Sequence, residues 1–303
     1  MRAFSLRAFA LFLALSTAMW FAPPRAQADS PPRGYELILS PHDHAFRYTV
    51  QGEPNRRGKR AERFELRDGD CGGSDCGAPR YRSEIGLRDR YVDARIGKDI
   101  WYGWSFYNGT VGPTLRDTNL RLVFGQWRLS GDLPPVFRFI QMGRDEGNWS
   151  ACDPAICTRS TDRTQDIVVQ LADMADAYGW SNAQNDGHIC RLFSIVEAHD
   201  YWMDIVVNTN FANDGSGYLR IWVNDQLKCD YRGQLVARLP DRGRAVPTHR
   251  RGVFASYTKR WDKTQPQTPK PRFVVYYDEF RTGARREDVD PRWREDMNMR
   301  PED

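Results

Sequence analysis

The stretch from Tyr201 to Cys229, YWMDIVVNTNFANDGSGYLRIWVNDQLKC, decides the fold. It holds three runs rich in Ile, Val, Trp and Tyr. Asn-Asp-Gly-Ser-Gly at 213–217 and Asn-Asp-Gln at 224–226 separate them. β-branched and aromatic runs broken by such residues read as strand, turn, strand, turn, strand. Connections this short join antiparallel neighbours. The same pattern extends in both directions. Upstream, strands are expected at Tyr35–Leu39, Ala45–Val50, Arg63–Arg67, Arg80–Gly86, Trp101–Tyr107, Arg121–Arg128, Val136–Gln141, Asp166–Leu171 and Cys190–Val196. Downstream they are expected at Arg251–Ser256 and Arg272–Arg281. Only Leu171–Tyr178 carries a weak helical pattern. Many short strands without alternating helices mean an all-β antiparallel sandwich or jelly roll, which can reach ~250 residues as one domain.

The first 28 residues hold Arg2, Arg7 and Arg25, no acid, and an apolar stretch from Ala8 to Ala22. Ala26-Gln27-Ala28 is a small-x-small cleavage pattern, so residues 1–28 read as a secretory signal peptide. The apolar run is shorter than the ~20 residues of a membrane span. A secreted or periplasmic protein is expected, with no membrane association after cleavage. Removing three arginines takes the net charge of +4 close to zero, which speaks against a nucleic-acid partner. Residues 29–283 read as one domain and 284–303 as a charged, loosely ordered tail. In an oxidising compartment an even cysteine count favours disulfides. Cys71–Cys76, Cys152–Cys157 and Cys190–Cys229 are the expected pairs, and CxxC or HxxxH spacings for zinc are lacking.

Several segments carry chemistry. In Tyr81-Arg82-Ser83-Glu84-Ile85-Gly86, strand alternation places Arg80, Arg82 and Glu84 on one face. They form either a solvated salt-bridge row or a grip for an anionic ligand, with Glu84 holding an arginine fork. In Trp101–Tyr107 (WYGWSFY), one face carries Tyr102, Trp104 and Phe106. One of the two aromatic faces is core, and the other is available to stack on sugar rings. In Arg121–Arg128, alternation puts Leu122, Phe124, Gln126 and Arg128 together, as in a core strand emerging into a cleft.

The ordered series RFELR, RSEI, WYGWSFY, FGQWR, YWMDIVV, GYLRIWVND, RRGVFASY and VVYYDEFRTG resembles the secreted polysaccharide lyases of the heparin lyase I and glucuronan lyase type, and more distantly the jelly-roll alginate lyases. The resemblance runs from about Tyr35 to Gly283. It implies a concanavalin-like β-jelly roll with a concave substrate-binding sheet, and β-elimination on an acidic, uronic-acid-containing polysaccharide. Donors neutralise the sugar carboxylate and a His or Tyr moves the proton. No cofactor is required by this chemistry, and a structural calcium is compatible with it; Asp278 is either a calcium ligand or a buried strand carboxylate. The protein is expected to act as a monomer.

Carried over by motif, Arg82 and Gln126 match the carboxylate neutralisers and Glu84 the residue orienting the arginine. Two departures follow. The alginate-lyase Gln-x-His is Gln126-Trp127-Arg128 here, and Gly-x-Tyr is Gly252-Val253-Phe254, with Tyr257 the nearest phenol. His42 and His249 are therefore the candidate bases, and Tyr257 is the candidate catalytic tyrosine. His42 and His44 share a face in an extended chain. Arg80, Tyr102, Trp127, Arg128 and Arg138 are candidate substrate contacts. A catalytically silent carbohydrate-binding jelly roll is the alternative. A sandwich glycoside hydrolase lacks its carboxylate motif.

Overall fold

A computed structural model describes residues 29–40, 42–113, 120–131, 133–142, 148–157, 164–172, 186–238 and 245–302. Residues 1–28, the expected signal peptide, and the part of the expected weak helix beyond Ala172 lie outside them. Two sheets form a sandwich. Sheet A has eight strands in the order β1 (Tyr35–Leu37), β4 (Tyr81–Leu87), β14 (Pro247–Ser256), β6 (Arg121–Leu129), β7 (Pro135–Met142), β9 (Asp166–Ala172), β10 (Asp186–Ser194) and β8 (Asn148–Ser150). Sheet B has seven, in the order β13 (Gln226–Arg232), β12 (Tyr218–Val223), β11 (Met203–Thr209), β5 (Ile100–Asn108), β15 (Phe273–Gly283), β3 (Glu62–Leu66) and β2 (Phe46–Tyr48). All pairings are antiparallel except β10 with the short β8, a strand absent from the sequence reading. The Tyr201–Cys229 segment forms the β11–β12–β13 meander.

The core lies between the sheets. Ile85, Phe124, Trp127, Phe137, Val169 and Val253 of sheet A meet Phe64, Tyr102, Phe106, Val207, Ile221 and Tyr277 of sheet B. Trp127 stacks on Phe137 with centroids 4.7 Å apart. Burying such side chains removes apolar area from water, worth about 1.5–3 kcal/mol apiece. The Tyr277 hydroxyl satisfies itself on the Phe124 and Gly252 carbonyls of the opposite sheet.

Short helices are peripheral: α1 (Ser74–Gly77), α2 (Glu197–Asp200), α3 (Thr258–Thr264), α4 (Arg286–Val289) and α5 (Pro291–Asp296). The last two correct the expectation of a loose tail. Asp290 caps α5, its carboxylate accepting from the Arg292 and Trp293 amides, and Pro291 occupies the first turn. Val289 is fully buried against Gly103 of β5, where a Cβ would overlap the Val289 carbonyl. Arg57, Arg281 and Arg294 donate to the Met299 and Arg300 carbonyls. The tail is held by buried Val289, by arginine–carbonyl bonds and by ion pairs such as Arg56–Glu295, Arg292–Asp204 and Arg281–Glu302, which leave no hydrophobic period in the sequence.

Asp278 is a buried strand carboxylate that accepts from the Arg56, Arg57 and Glu279 amides. Burial pushes its pKa up to about 7 against those donors. Among the described residues no helix is long and apolar enough to cross a membrane. The cysteines require a second correction. Cys71–Cys76 is bridged as expected, but Cys157 pairs with Cys190. The Cys157 amide turns back onto the Asp153 carbonyl (2.7 Å), which aims Cys152 and Cys157 at different neighbours. Cys152 instead faces Cys229, sulfur to sulfur at 2.8 Å.

Gly103→Ala is expected to displace the α4–α5 segment from sheet B and to cost about 1–3 kcal/mol. Urea unfolding reads the loss, and faster proteolysis between residues 284 and 302 locates it.

Candidate active site

The outward face of sheet A carries two parallel cross-strand rows. In the first, Arg250 of β14 lies opposite Gly86 of β4 on one side and Gln126 of β6 on the other. Gln126 lies opposite Arg138 of β7, and Arg138 opposite Gln170 of β9. At ~4.8 Å between strands, this polar line spans ~14 Å. The second row runs Arg82, Phe254, Val123, Ile140, Val168, Arg191. Val123, Ile140 and Val168 form an apolar cluster separate from the inter-sheet core, with Phe254 and Tyr257 packed against it. A polar stripe beside an apolar one suits a polymer whose units offer both acid groups and C–H faces.

A bulge in β6 makes this face. Two residues of β6 from Val123 to Gly125 span one step of β7, from Ile140 to Phe139. The extra residue reverses the alternation, as bulges do. Leu122, Phe124, Trp127 and Leu129 all point into the core, while Val123 and Gln126 point out. The expectation that Leu122, Phe124 and Gln126 share a face is therefore corrected.

Glu84 is the hub. It is fully buried; its Oε2 accepts from Arg82 Nη1 at 2.6 Å and its Oε1 from Gln126 Nε2 at 2.8 Å. Arg82 also donates to Asp75 from Nε (2.8 Å) and Nη2 (3.3 Å), and lies 4.2 Å over the Phe254 ring. Burial works against the Arg82 charge, but Glu84 and Asp75 outweigh it and hold the guanidinium above its ordinary pKa. Asp75 is carried by the small loop that the Cys71–Cys76 bridge closes.

The two cations of the polar row, Arg138 and Arg250, are unlike Arg82. Arg138 donates Nε to Gln170 Oε1 at 2.6 Å and has no carboxylate partner among the described residues. Burial drives its pKa well below the arginine value, and Arg121 adds to the effect. Arg250 makes no ion pair among the described residues. Burial lowers its pKa; Glu84 opposes this and Arg82 reinforces it. At the Gly86 end of the polar row a groove of about 500 Å³ is lined by Arg250, Arg128, Arg88, Arg90, Glu36 and Asp89. Arg128 reaches the Gly131 carbonyl (2.6 Å) and Arg88 pairs with Glu36 (2.9 Å).

The remaining sequence candidates scatter. Tyr102 and Trp127 are 1% exposed, in the core rather than on a sugar platform. Tyr102 belongs to sheet B, and the β6 bulge turns Trp127 inward. His249 is also a core residue. Its Nε2 meets the Tyr35 hydroxyl at 2.8 Å, among the rings of Tyr102, Trp127 and Phe280. Burial, with Arg251 nearby, drives its pKa well below the usual histidine value, so it is neutral. Its neighbour Arg250 takes the outward position. Arg80 is exposed in the loop before β4.

His42 stacks on His44 (5.3 Å) above Asp70, whose Oδ2 lies 2.7 Å from His44 Nε2. The Asp70 backbone carbonyl accepts from the Arg82 backbone amide, which places this trio at the entrance to β4 and off both rows. Tyr257 stands at the apolar row in a left-handed backbone conformation. Arg121 and Arg260 lie 4.7 and 4.1 Å from its ring centroid. The sequence reading missed Arg250, Gln170 and Asp75. The first two follow only from cross-strand register, and Asp75 only from the fold of the disulfide loop.

The sequence from residue 35 to 281 matches the family model described as "Polysaccharide lyase". No curated protein matches it. Among solved structures, the chain is similar to the endo-β-1,4-glucuronan lyase of the fungus Trichoderma reesei, with a TM-score of 0.59 and 15% identity, over 87% of this chain and 97% of that one. It is also similar to alginate lyase A1-II′, a member of polysaccharide lyase family 7, with a TM-score of 0.50 and 8% identity, over 82% and 94% of the two chains. At such identities the likeness is one of fold, the β-jelly roll expected above. The family-model match spans most of the chain, which therefore belongs to the polysaccharide lyase family.

Proposed function

We propose that the protein is exported and cleaves a uronic-acid-containing polysaccharide by β-elimination on the outward face of sheet A. The observation that carries the reading is the Arg250–Gln126–Arg138–Gln170 row, in which two guanidiniums flank a side-chain amide and meet no carboxylate among the described residues. A cation half-withdrawn from water with no counter-charge is disfavoured, and a sugar acid group supplies the missing charge. The glucuronan and alginate lyases named above act, by their names, on acidic polymers, and the leader at 1–28 agrees with a polymeric substrate outside the cell.

The chemistry follows from charge. The C5 proton of a uronate is weakly acidic while the neighbouring carboxylate keeps its charge. Arg250, Arg138 and the Gln126 amide neutralise that charge and stabilise the enolate-like intermediate. Glu84 fixes the Gln126 amide, and Arg82 fixes Glu84; Arg82 is a positioning residue, its guanidinium already held by Asp75 and Glu84. Tyr257, the phenol at the apolar row, exchanges the proton between C5 and the departing glycosidic oxygen. His42 stands off the rows and supports the loop of Asp70.

A panel of glucuronan, alginate and glycosaminoglycans, followed by the ultraviolet absorbance of the unsaturated product, tests the reading. Binding to a polymer without product would assign the protein to carbohydrate binding instead. Arg138→Ala and Arg250→Ala strand no carboxylate, so each should keep a near-native melting temperature while kcat/KM falls by about 10²–10³-fold. Unchanged turnover in both would remove the row from the mechanism. Tyr257→Phe should abolish product while polymer binding persists. Arg82→Ala behaves differently. It leaves the buried Asp75 and Glu84 without their cation, although Gln126 still donates to Glu84, at a cost of about 3–5 kcal/mol, so unfolding in urea should shift before any kinetic effect can be read.

A further inference from the structure

We infer that Cys152 and Cys229 form a third disulfide, which together with Cys157–Cys190 clamps the open edge of the sandwich. Sheet A ends on β10 and β8, and sheet B ends on β13. These edges lie on the same side of the molecule, where β10 packs against β13 and His188 of β10 lies 4.8 Å from the Tyr231 ring of β13. The loop after β8 runs along this seam. At one end Cys157 is bonded to Cys190 of β10. At the other, Cys152 Sγ lies 2.8 Å from Cys229 Sγ of β13, inside the contact distance of two non-bonded sulfurs. The Ala151 carbonyl next to it lies 3.3 Å from His188 Nδ1. One six-residue loop thus reaches both sheets.

The chemistry is a thiol–disulfide exchange. Cys152 is the more accessible of the two, and Cys229 is buried. The Cys152 thiolate attacks the disulfide of an oxidoreductase of the export compartment and forms a mixed disulfide. Cys229 then attacks Cys152 Sγ and expels the second oxidoreductase sulfur. One S–S bond forms in this protein and one breaks in the oxidant. The two hydrogens and two electrons end on the oxidant's dithiol. Burial pushes the Cys229 thiol well above its ordinary pKa, with Cys152 adding to the effect, so Cys229 fits the second, intramolecular attack. The Cys190 sulfur is also within 4.8 Å of both, so the alternative set Cys152–Cys157 with Cys190–Cys229 is reachable by exchange and serves as the competing outcome.

The test uses the full chain, exported from its host through its own N-terminal segment and purified without reductant. The protein is unfolded in iodoacetamide, digested, and its linked peptides are mapped by mass. The expected result is no alkylated cysteine and a peptide pair joined through Cys152 and Cys229. In Cys152→Ser, alkylation should appear at Cys229 alone. Alkylation of both Cys152 and Cys229 in the parent protein would overturn the inference. So would the alternative pairing, or a stoichiometric zinc ion with the four thiols free. None of these readouts depends on enzymatic activity, so the clamp and the lyase reading stand or fall separately.

Discussion

The outward face of sheet A depends on one buried carboxylate. Glu84 is wholly inaccessible, and its charge is tolerable only because Arg82 and Gln126 meet its two oxygens. A carboxylate with donors on both oxygens is fixed in rotamer as well as charge. The Gln126 amide is therefore oriented before any ligand arrives. Asp75, from a loop closed by the Cys71–Cys76 bridge, fixes the far side of Arg82. The chain of constraint runs from a covalent staple, through two ion pairs, to the amide between Arg250 and Arg138. Pre-organised donors of this kind need no rearrangement when charge develops on a substrate.

The strands were legible because their signal is local. Each run of β-branched and aromatic residues between turn residues became a strand, and the Tyr201–Cys229 meander formed as its turns predict. What a strand faces is less local. Alternation assigns partners within a strand but not the sheet to which the strand belongs, nor any break in its phase. Tyr102 alternates as expected with Trp101 but belongs to sheet B, away from the rows. Gln126 and Trp127 exchanged faces because β6 carries a bulge; its one local sign is Gly125, since a glycine inside a strand often marks a bulge, but it does not fix where the phase breaks.

The histidines show the same limit from the side of chemistry. Strand position makes His249 a plausible base, yet its odd register turns it into the aromatic core, where a neutral imidazole with one hydroxyl partner is a satisfied residue. His42 and His44 stack as an extended chain would bring them, but their shared carboxylate ties them to a loop at the entrance of β4. The motif order revealed the family, and only cross-strand register revealed which side chains its face presents.

Arg250 and Arg251 make the argument for a ligand in its sharpest form. They are adjacent in sequence; Arg251 is buried and Arg250 is half-buried. Arg251 turns inward and meets Glu62 through two bonds of 2.6 Å, between the rings of Tyr35 and Phe280. Its charge is matched within the fold. Arg250 turns outward beside Gln126 and makes no ion pair with a carboxylate among the described residues, like Arg138 two strands away. The proposed site draws on this contrast: the fold meets one arginine with a carboxylate and leaves its neighbour on the same strand without one among the described residues, where the anion of a ligand would complete it. Local departures from self-consistency of this kind are expected at functional sites. Their register across the sheet sets one amide between two guanidiniums.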